Sequence, residues 1–157
     1  SIRPVNENSQ NTQLLFNSLI TFFTNLNRDA SKILSYQKKR SYENVNNLFL
    51  IREQAKELYN QIYQEKLTQK KFGEILDRGW KIKKELSIKV SNKLIDDTYH
   101  LAKKKGAYGG KLSGAGGGGF LSFVATKDKE KNIINALSKN KMKYFPVRFE
   151  STGSIII

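Results

Sequence analysis

The chain has 157 residues, with 28 Lys and Arg against 14 Asp and Glu, 38% hydrophobic residues and a formal net charge of +14. This composition provides enough apolar side chains for a packed core and is not that of a disordered chain. The absence of Cys excludes disulfides and thiolate metal ligands, and a single His excludes a His-rich metal site.

The positive charge indicates an anionic partner, such as a phosphorylated small molecule, a nucleic acid or an anionic membrane. Lysine carries most of this charge, since the chain has 22 Lys and 6 Arg. Proteins that read nucleic-acid sequences favour Arg for bidentate contacts, so nucleic acid is not the expected partner. No apolar stretch approaches the roughly 18 residues of a membrane span, and we expect no membrane contact and a cytoplasmic location. A solvated, lysine-rich surface without any ligand is the alternative.

The N-terminal part is predicted to contain two short strands and one long helix. The strands are Ile2–Val5 and Leu19–Thr24, and the apolar run Leu14–Phe16 between them is compatible with a helix. Residues 6–72 contain neither Pro nor Gly. Apolar residues recur there every three or four positions, as on one face of a long helix: Val45, Leu48, Ile51, Ala55, Leu58 and Ile62.

Two further helices are predicted in the middle of the chain. The first carries the apolar set Phe72, Ile75, Leu76, Ile82 and Leu86. The second begins with Ser91 as its N-cap and ends at Gly106. Its acidic residues, Asp96 and Asp97, come early and its lysines, Lys103–Lys105, come late, as the helix dipole favours. The lysine run therefore needs no ligand to explain it.

The remainder of the chain alternates between short strands and one helix. In chain order we predict strand Gly110–Ser113, a glycine loop, strand Phe120–Ala125, a helix over about Lys129–Lys139, strand Lys143–Glu150, a turn at Gly153 and strand Ser154–Ile157. The chain as a whole predicts an α+β fold, with a small, mostly antiparallel sheet covered on one face by helices.

The segment Lys111–Phe120, with the sequence KLSGAGGGGF, is the most informative part of the chain. Five of the 11 glycines lie within six of its residues, and Gly permits positive φ and close backbone approach to a ligand. The spacing Gly114-x-Gly116-x-x-Gly119 matches a dinucleotide-binding fingerprint, but a strand follows where that motif requires a helix. A P-loop would end in Gly-Lys-Ser/Thr and a KH loop lies between helices, so neither of these motifs fits.

A glycine loop between strands, followed by a helix and further strands, resembles the third motif of the GHMP kinases. This family includes galactokinase and homoserine, mevalonate and phosphomevalonate kinases. The flanking segments Asn27–Ser31 (NRDAS), Trp80–Ser87 (WKIKKELS) and Tyr99–Lys111 are similar to the branch that acts on D-glycero-D-manno-heptose 7-phosphate. The resemblance implies the family's C-terminal fold, a ferredoxin-like small antiparallel sheet packed against several long helices.

The resemblance also implies an ATP-dependent kinase that uses Mg²⁺ and phosphorylates the anomeric hydroxyl of the heptose 7-phosphate, for the synthesis of nucleotide-activated heptose. The family's phosphate-binding loop, of the type Pro-x-Gly-Leu-Gly-Ser-Ser, lies in an N-terminal domain together with the catalytic Asp and the magnesium ligands. None of that pattern occurs in these 157 residues. We therefore expect residues 1–157 to form a single C-terminal domain, without catalytic residues or metal ligands and inactive alone, whose partners are the N-terminal domain, ATP and a sugar phosphate.

The resemblance assigns two groups of site residues. The loop residues expected near the ATP phosphates are Ser113, Gly114, Ala115, Gly116, Gly117 and Gly118. The cations expected to contact the substrate, with Arg28 ranked first and Lys111 second, are Arg28, Lys111, Lys84 and Lys83. For the cations the alternative is a set of surface charges with no ligand. Trp80 is expected to be a buried core residue, and His100 is given no role.

Two other functions are left open by the sequence. The chain is also compatible with another small-molecule kinase of the same family, acting on a different sugar or on an isoprenoid precursor. The high positive charge is compatible with a non-enzymatic module that binds RNA or protein, although the aromatic residues Phe49, Tyr59 and Tyr63 are better explained as core or interface.

Overall fold

In the computed structural model, Asn6 and residues 9–150 are described. They form six helices and four strands, in the order α1 (Gln10–Asn17), β1 (Leu19–Phe23), α2 (Ala30–Lys39), α3 (Val45–Tyr63), α4 (Gln69–Glu85), α5 (Lys93–Lys104), β2 (Gly109–Leu112), β3 (Phe120–Val124), α6 (Lys127–Lys139) and β4 (Lys143–Phe145). The predicted strands Ile2–Val5 and Ser154–Ile157 and the turn at Gly153 lie outside the described residues. No helix among those described is long and apolar enough to cross a membrane.

The four strands form one antiparallel sheet with the order β2-β3-β1-β4. The central pair places Thr21 of β1 opposite Ser122 of β3, and their hydroxyl groups are 2.9 Å apart. Because side chains alternate along a strand, Ile20 and Phe22 point to the opposite face, where they are buried. The α+β fold with a small antiparallel sheet is therefore confirmed.

The main core lies between this face of the sheet and helices α4, α5 and α6. Its sheet residues include Phe22, Leu121 and Phe123, none of which has exposed surface. The helices contribute Trp80, Ile95, Tyr99, Ala102, Ile133 and Leu137. These positions follow the apolar periodicity of amphipathic helices, so burial of their apolar faces holds the helices on the sheet.

Helix α4 lies directly on strand β2 because two glycines face each other. A Cβ on Gly109 would collide with the carbonyl oxygen of Gly73, and a Cβ on Gly73 would collide with Cβ of Tyr108. Neither glycine needs a positive φ, so the close approach of the two backbones is what requires the missing side chains. This contact sets the C-terminal half of α4 beside the loop that follows β2.

Several element boundaries differ from the prediction. Strands β1 and β3 each end one residue earlier than predicted, and β2 is shifted by one residue towards the N-terminus. The predicted N-cap Ser91 is wrong by one residue: Asn92 caps α5, since its Oδ1 accepts a hydrogen bond of 3.1 Å from the backbone N–H of Ile95. The predicted strand Lys143–Glu150 ends at Phe145. Pro146 follows directly, and proline has no N–H with which to continue the ladder. Gly106 ends α5 as predicted, with a φ of +108°.

Helix α2 has no counterpart among the predicted elements. Its N-cap is Asp29, whose side chain accepts a hydrogen bond of 3.1 Å from the backbone N–H of Lys32. Ile33 is its only buried residue, so the helix has almost no apolar face for a periodicity to reveal. The apolar run Leu14–Phe16, which the sequence showed to be compatible with a helix, forms part of helix α1.

A buried hydrogen-bond network joins α4, α5 and β2. The hydroxyl of Tyr99 donates to Asp77 Oδ1 at 2.7 Å, and the backbone N–H of Gly110 donates to the same hydroxyl at 3.1 Å. Burial, followed by the hydrogen bond to the Asp77 carboxylate, raises the pKa of Tyr99 above its ordinary value, so the phenol keeps its proton as a donor. The network therefore ties the helix pair to the strand that leads into the glycine loop.

Tyr99→Phe is expected to lower the free energy of unfolding by about 1–3 kcal/mol, because it leaves the buried N–H of Gly110 without an acceptor. Urea denaturation followed by circular dichroism measures the loss. Tyr42→Phe is the matched control, since Tyr42 is 95% exposed, and it should change stability by less than about 0.5 kcal/mol. Equal effects of the two variants would contradict a structural role of the network.

Candidate anion-binding site

The loop Ser113–Gly119 joins β2 to β3 in a conformation that depends on its glycines. It is closed at its base by a hydrogen bond of 2.8 Å from the N–H of Ser113 to the carbonyl oxygen of Phe120. Four of its glycines have positive φ, from +72° at Gly117 to +114° at Gly116. Other residues adopt positive φ only with strain. The backbone of the loop therefore requires glycine at these four positions.

Two cations bind the carbonyl oxygens of this loop. Lys83, at the C-terminal end of α4, donates to the carbonyl oxygen of Gly114 at 2.6 Å and to that of Leu112 at 3.1 Å. Arg28 Nη1, just before α2, donates to the carbonyl oxygen of Gly116 at 2.5 Å. Both cations thereby fix the positions of carbonyl groups in and next to the loop.

Polar side chains bind the other loop carbonyls. The amide of Gln37 donates to Ala115 at 3.3 Å, and the amide of Asn92 donates to Gly117 at 3.4 Å. Thr24, directly after β1, donates through its hydroxyl to the carbonyl of Gly119 at 3.0 Å and accepts from the N–H of the same residue at 2.9 Å. None of these three residues is predicted from the sequence to belong to the site, and only the position of Thr24 at a strand end could have indicated it.

The N–H groups of the loop are used differently from its carbonyls. Gly117 donates to the carbonyl oxygen of Val90 at 2.8 Å. Four other N–H groups, those of Gly114, Ala115, Gly116 and Gly118, have no acceptor within the described part of the chain. Three of these residues, 115, 116 and 118, are buried, so unsatisfied donors there carry a desolvation cost that an anion would relieve. Consecutive free N–H groups in a glycine turn are a typical anion-binding feature.

Three of the four predicted cations lie around the loop. Arg28, Lys83 and Lys111 form no ion pair with a carboxylate of the described residues. Burial, and then the positive charges of Lys111 and Arg28, lower the pKa of Lys83 to about 8. The cluster therefore carries an excess of positive charge beside free N–H donors, which is an environment that favours a phosphate or carboxylate.

Lys84, the remaining predicted cation, is held in a different environment. Its ammonium group is 3.0 Å from Asp96 Oδ1 on α5, and it also lies 6.0 Å from the ring centre of Trp80. Trp80 itself is 1% exposed, which confirms the prediction of a buried indole. His100 is an exposed residue of α5. The structure thus brings Arg28, Lys83 and Lys111 together at the loop and places Lys84 in an ion pair.

The described residues suit the phosphates of a nucleotide better than its metal ion. Phosphate oxygens accept hydrogen bonds, and four loop N–H groups near the three cations have no acceptor in the part of the chain that the structure describes. Groups of three or more His, Asp and Glu side chains that could hold a metal ion are not found between residues 9 and 150. Magnesium ligands are therefore not assigned to any of these side chains.

Lys83 is expected to lose its proton near pH 8 in the folded chain, against about 10.5 in the unfolded chain. Between these values the unfolded state binds more protons, so this group should make the fold more stable as the pH rises through that window. An NMR titration of the Lys83 side-chain carbon next to the amine measures the midpoint. Lys111→Gln should raise the midpoint and Lys139→Gln, on the exposed end of α6, should not. A midpoint near 10 in the unmodified chain would contradict the burial of this ammonium group.

Gly117→Ala is expected to lower the free energy of unfolding by about 1–2 kcal/mol, because φ is +72° at this position. The added Cβ would also lie 2.9 Å from Cδ1 of Ile33. Gly79→Ala is the control: it lies within α4 without a positive φ, and its new Cβ meets only the flexible end of Gln54. The control should be neutral or should stabilise the helix, since Ala has the higher helix propensity. Thermal melts measure the change in Tm of both variants. A decrease of the same size in each would contradict backbone strain at Gly117.

The chain is similar to known proteins over the region that contains the glycine loop. The family model for the C-terminal part of GHMP kinases matches residues 63–143, which include α4, α5, α6, the glycine loop and the strands β2 and β3 on either side of it. A D-glycero-alpha-D-manno-heptose 7-phosphate kinase of Campylobacter jejuni is 35% identical over 127 residues, which cover 78% of this chain and 36% of that protein. The chain thus spans about a third of the length of this relative.

Solved structures share the fold at low sequence identity. The Lin0012 protein of Listeria innocua superposes with a TM-score of 0.71 at 19% identity, over 82% of this chain and 38% of that one. The mevalonate kinase of Methanococcus jannaschii superposes with a TM-score of 0.66 at 21% identity, over 92% of this chain and 43% of that one. With the family model covering more than half of its residues, the chain belongs to the GHMP kinase family and carries that family's C-terminal fold.

Proposed function

We propose that this chain is the C-terminal domain of an ATP-dependent sugar-phosphate kinase. The observation that carries this proposal is the glycine loop, in which four N–H groups near Arg28, Lys83 and Lys111 have no acceptor among the described residues. In the intact enzyme the γ-phosphoryl group of ATP is transferred to the anomeric hydroxyl of D-glycero-D-manno-heptose 7-phosphate. The similarity to the heptose 7-phosphate kinase of Campylobacter jejuni supports this choice of sugar.

Phosphoryl transfer needs positioning and charge neutralisation more than it needs covalent chemistry from the protein. The negative charge of the transferred group is spread over its oxygens, and fixed donors in a partly dry site stabilise it without reorganisation. The loop N–H groups supply such donors. Because carbonyl groups repel phosphate oxygens, the bonds from Lys83 and Arg28 to the carbonyls of Gly114 and Gly116 also keep those carbonyls occupied.

The cations then have distinct roles in the proposed site. Arg28 and Lys83 are positioning residues, since both donate to loop carbonyls. Lys111 is exposed and makes no ion pair with a described carboxylate. It is proposed to contact the phosphate group of the sugar directly. This order differs from the ranking by sequence, which put Arg28 first among the substrate contacts. Lys84 is proposed to act through its ion pair with Asp96, by holding α4 against α5.

A second domain is needed for this function. We propose that an N-terminal domain supplies the phosphate-binding loop, the catalytic Asp and the ligands of Mg²⁺, and that the 157-residue chain has no kinase activity alone. The enzyme would act in the cytoplasm, and its product would supply nucleotide-activated heptose for capsule or lipopolysaccharide synthesis.

A second candidate is a kinase of the same family with another acceptor. A galactokinase of Candida albicans is 33% identical over 81 residues and a mevalonate kinase of Methanocaldococcus jannaschii is 31% identical over 77 residues. These matches cover about half of the chain, against 78% for the heptose kinase, which supports proposing the heptose phosphate as acceptor ahead of galactose or mevalonate.

The test uses the intact reading frame that contains this chain. The purified protein is given ATP, Mg²⁺ and one acceptor at a time: heptose 7-phosphate, the same heptose without phosphate, galactose or mevalonate. Phosphorus NMR identifies the position of the new phosphate. Rapid formation of an anomeric phosphate on heptose 7-phosphate supports the proposal, and a preference for galactose or mevalonate replaces it with the second candidate. Turnover by the 157-residue chain alone would contradict the need for a second domain.

The roles of Lys111 and Arg28 are separated by comparing two acceptors. Lys111→Gln should lower kcat/KM for heptose 7-phosphate about tenfold, corresponding to roughly 1.4 kcal/mol. The effect on the unphosphorylated heptose should be smaller, because that acceptor lacks the phosphate that Lys111 is proposed to contact. Arg28→Gln should reduce turnover of both acceptors by the same factor, because it displaces the loop. Lys139→Gln is the charge-matched control and should change neither. A loss confined to the phosphorylated sugar in Arg28→Gln would return Arg28 to direct substrate contact.

A further inference from the structure

A groove outside the glycine loop runs between helices α3 and α4 and ends at strand β2. It encloses about 210 Å³. Its lining is mostly apolar, with Ile51, Ala55 and Leu58 from α3 and Ile75, Leu76, Gly79 and Trp80 from α4. The polar side chains in the lining are Gln54, Lys83 and Lys111. The groove therefore combines an apolar body with cationic groups.

The size of the groove limits what it can hold. Sites for drug-sized ligands and cofactors measure about 300–1,000 Å³, so a space of about 210 Å³ is too small for a nucleotide. Burial of apolar surface is the dominant source of affinity in such a groove. A short aliphatic or aromatic body fits both the volume and the lining.

The charges of the lining select an anion. Neither Lys83 nor Lys111 pairs with a carboxylate of the described residues, and the groove itself has no acidic lining residue. The nearby Glu57 lines a different groove and is engaged by Lys71 at 2.9 Å and Arg78 at 2.6 Å. Lys83 has one N–H left after its two bonds to the carbonyls of Leu112 and Gly114. Two ammonium groups without a carboxylate partner among the described residues, beside an apolar space, favour a ligand that brings a negative charge.

One wall of the groove is formed by a helix that is not deeply packed. None of the 19 residues of α3 is buried, whereas α4 buries Phe72, Gly73, Ile75 and Trp80. The groove side of α3 is held by half-buried side chains such as Ile51 and Leu58. A ligand between the helices would complete the burial of these side chains, which adds to its affinity.

We propose that this groove binds a small organic anion with an apolar body and that Lys83 and Lys111 hold its anionic group. Both lysines also flank the glycine loop, so occupation of the groove competes with an anion on the loop. This competition rests on the proposed function, whereas binding in the groove does not.

The test uses the fluorescence of Trp80, which is the only tryptophan of the chain and lines the groove. Octanoate and octyl phosphate are the anionic probes, and octanol and acetate lack the charge and the apolar body respectively. Both anionic probes should shift the Trp80 emission with saturation, and the two controls should bind at least tenfold more weakly. A preference for one probe identifies a carboxylate or a phosphate as the natural head group. Equal binding of octanol, or an emission that no probe changes, would overturn the proposal.

Variants test the cationic group and the apolar space of the groove separately. Lys111→Gln should weaken octanoate binding about tenfold, and Lys139→Gln should leave it unchanged. Gly79→Leu should abolish binding, because its side chain would displace the end of Gln54 and fill the groove. If Gly79→Leu fails to fold by circular dichroism, Ala55→Leu on exposed α3 narrows the groove from the other wall. If octanoate affinity is unchanged in Lys111→Gln and in whichever of Gly79→Leu and Ala55→Leu folds, the groove is not the binding site and the proposal is overturned.

Inorganic phosphate tests the competition. Saturating phosphate should weaken octanoate binding, because both anions are proposed to bind Lys111. Octanoate binding that phosphate does not change refutes the competition but supports a separate groove site. These measurements need neither ATP nor a sugar, so a failure of the groove is distinct from a failure of the proposed kinase activity.

Discussion

Helix α4 lies directly on strand β2 because neither Gly73 nor Gly109 places a Cβ between the two backbones. The positions of Trp80, Lys83 and Lys84 along α4 follow from this contact. Trp80 enters the core, Lys83 reaches the carbonyls of Leu112 and Gly114, and Lys84 turns to Asp96 on α5. One close backbone approach therefore places a cation at the loop and fixes the register of the helix that bears it.

In the glycine loop, side chains bind the backbone carbonyl groups and leave several N–H groups without a partner among the described residues. Five side chains bind its carbonyls: Thr24 and Arg28 from the connection between β1 and α2, Gln37 from α2, Lys83 from α4 and Asn92 from the N-cap of α5. Four of its N–H groups have no acceptor among the described residues. Positive φ at the glycines makes this separation possible, because successive peptide groups can turn their two ends to different sides. The cations thus shape the donor array as well as adding charge to it.

Lys83 connects the glycine loop to the groove between α3 and α4. Its ammonium group is partly buried beside Lys111 and Arg28, and these effects lower its pKa to about 8. An anion in either place would favour the protonated form of Lys83 and should bind more weakly as the pH rises above that value. A single titrating group can therefore make both sites depend on pH in the same direction.

Several features follow from the amino-acid sequence alone. Apolar periodicity predicted α3 and α4, the charge order and Gly106 predicted α5, and the glycine density of Lys111–Phe120 indicated the family and the place of the site. These are local patterns, and local patterns report local structure. The roles of Gln37 and Asn92, the ion pair of Lys84 and the groove depend on contacts between residues far apart in the chain, and only the tertiary structure decided them. Helix α2 remained undetected because its packing buries a single residue, Ile33, which leaves no periodic signal for sequence reasoning.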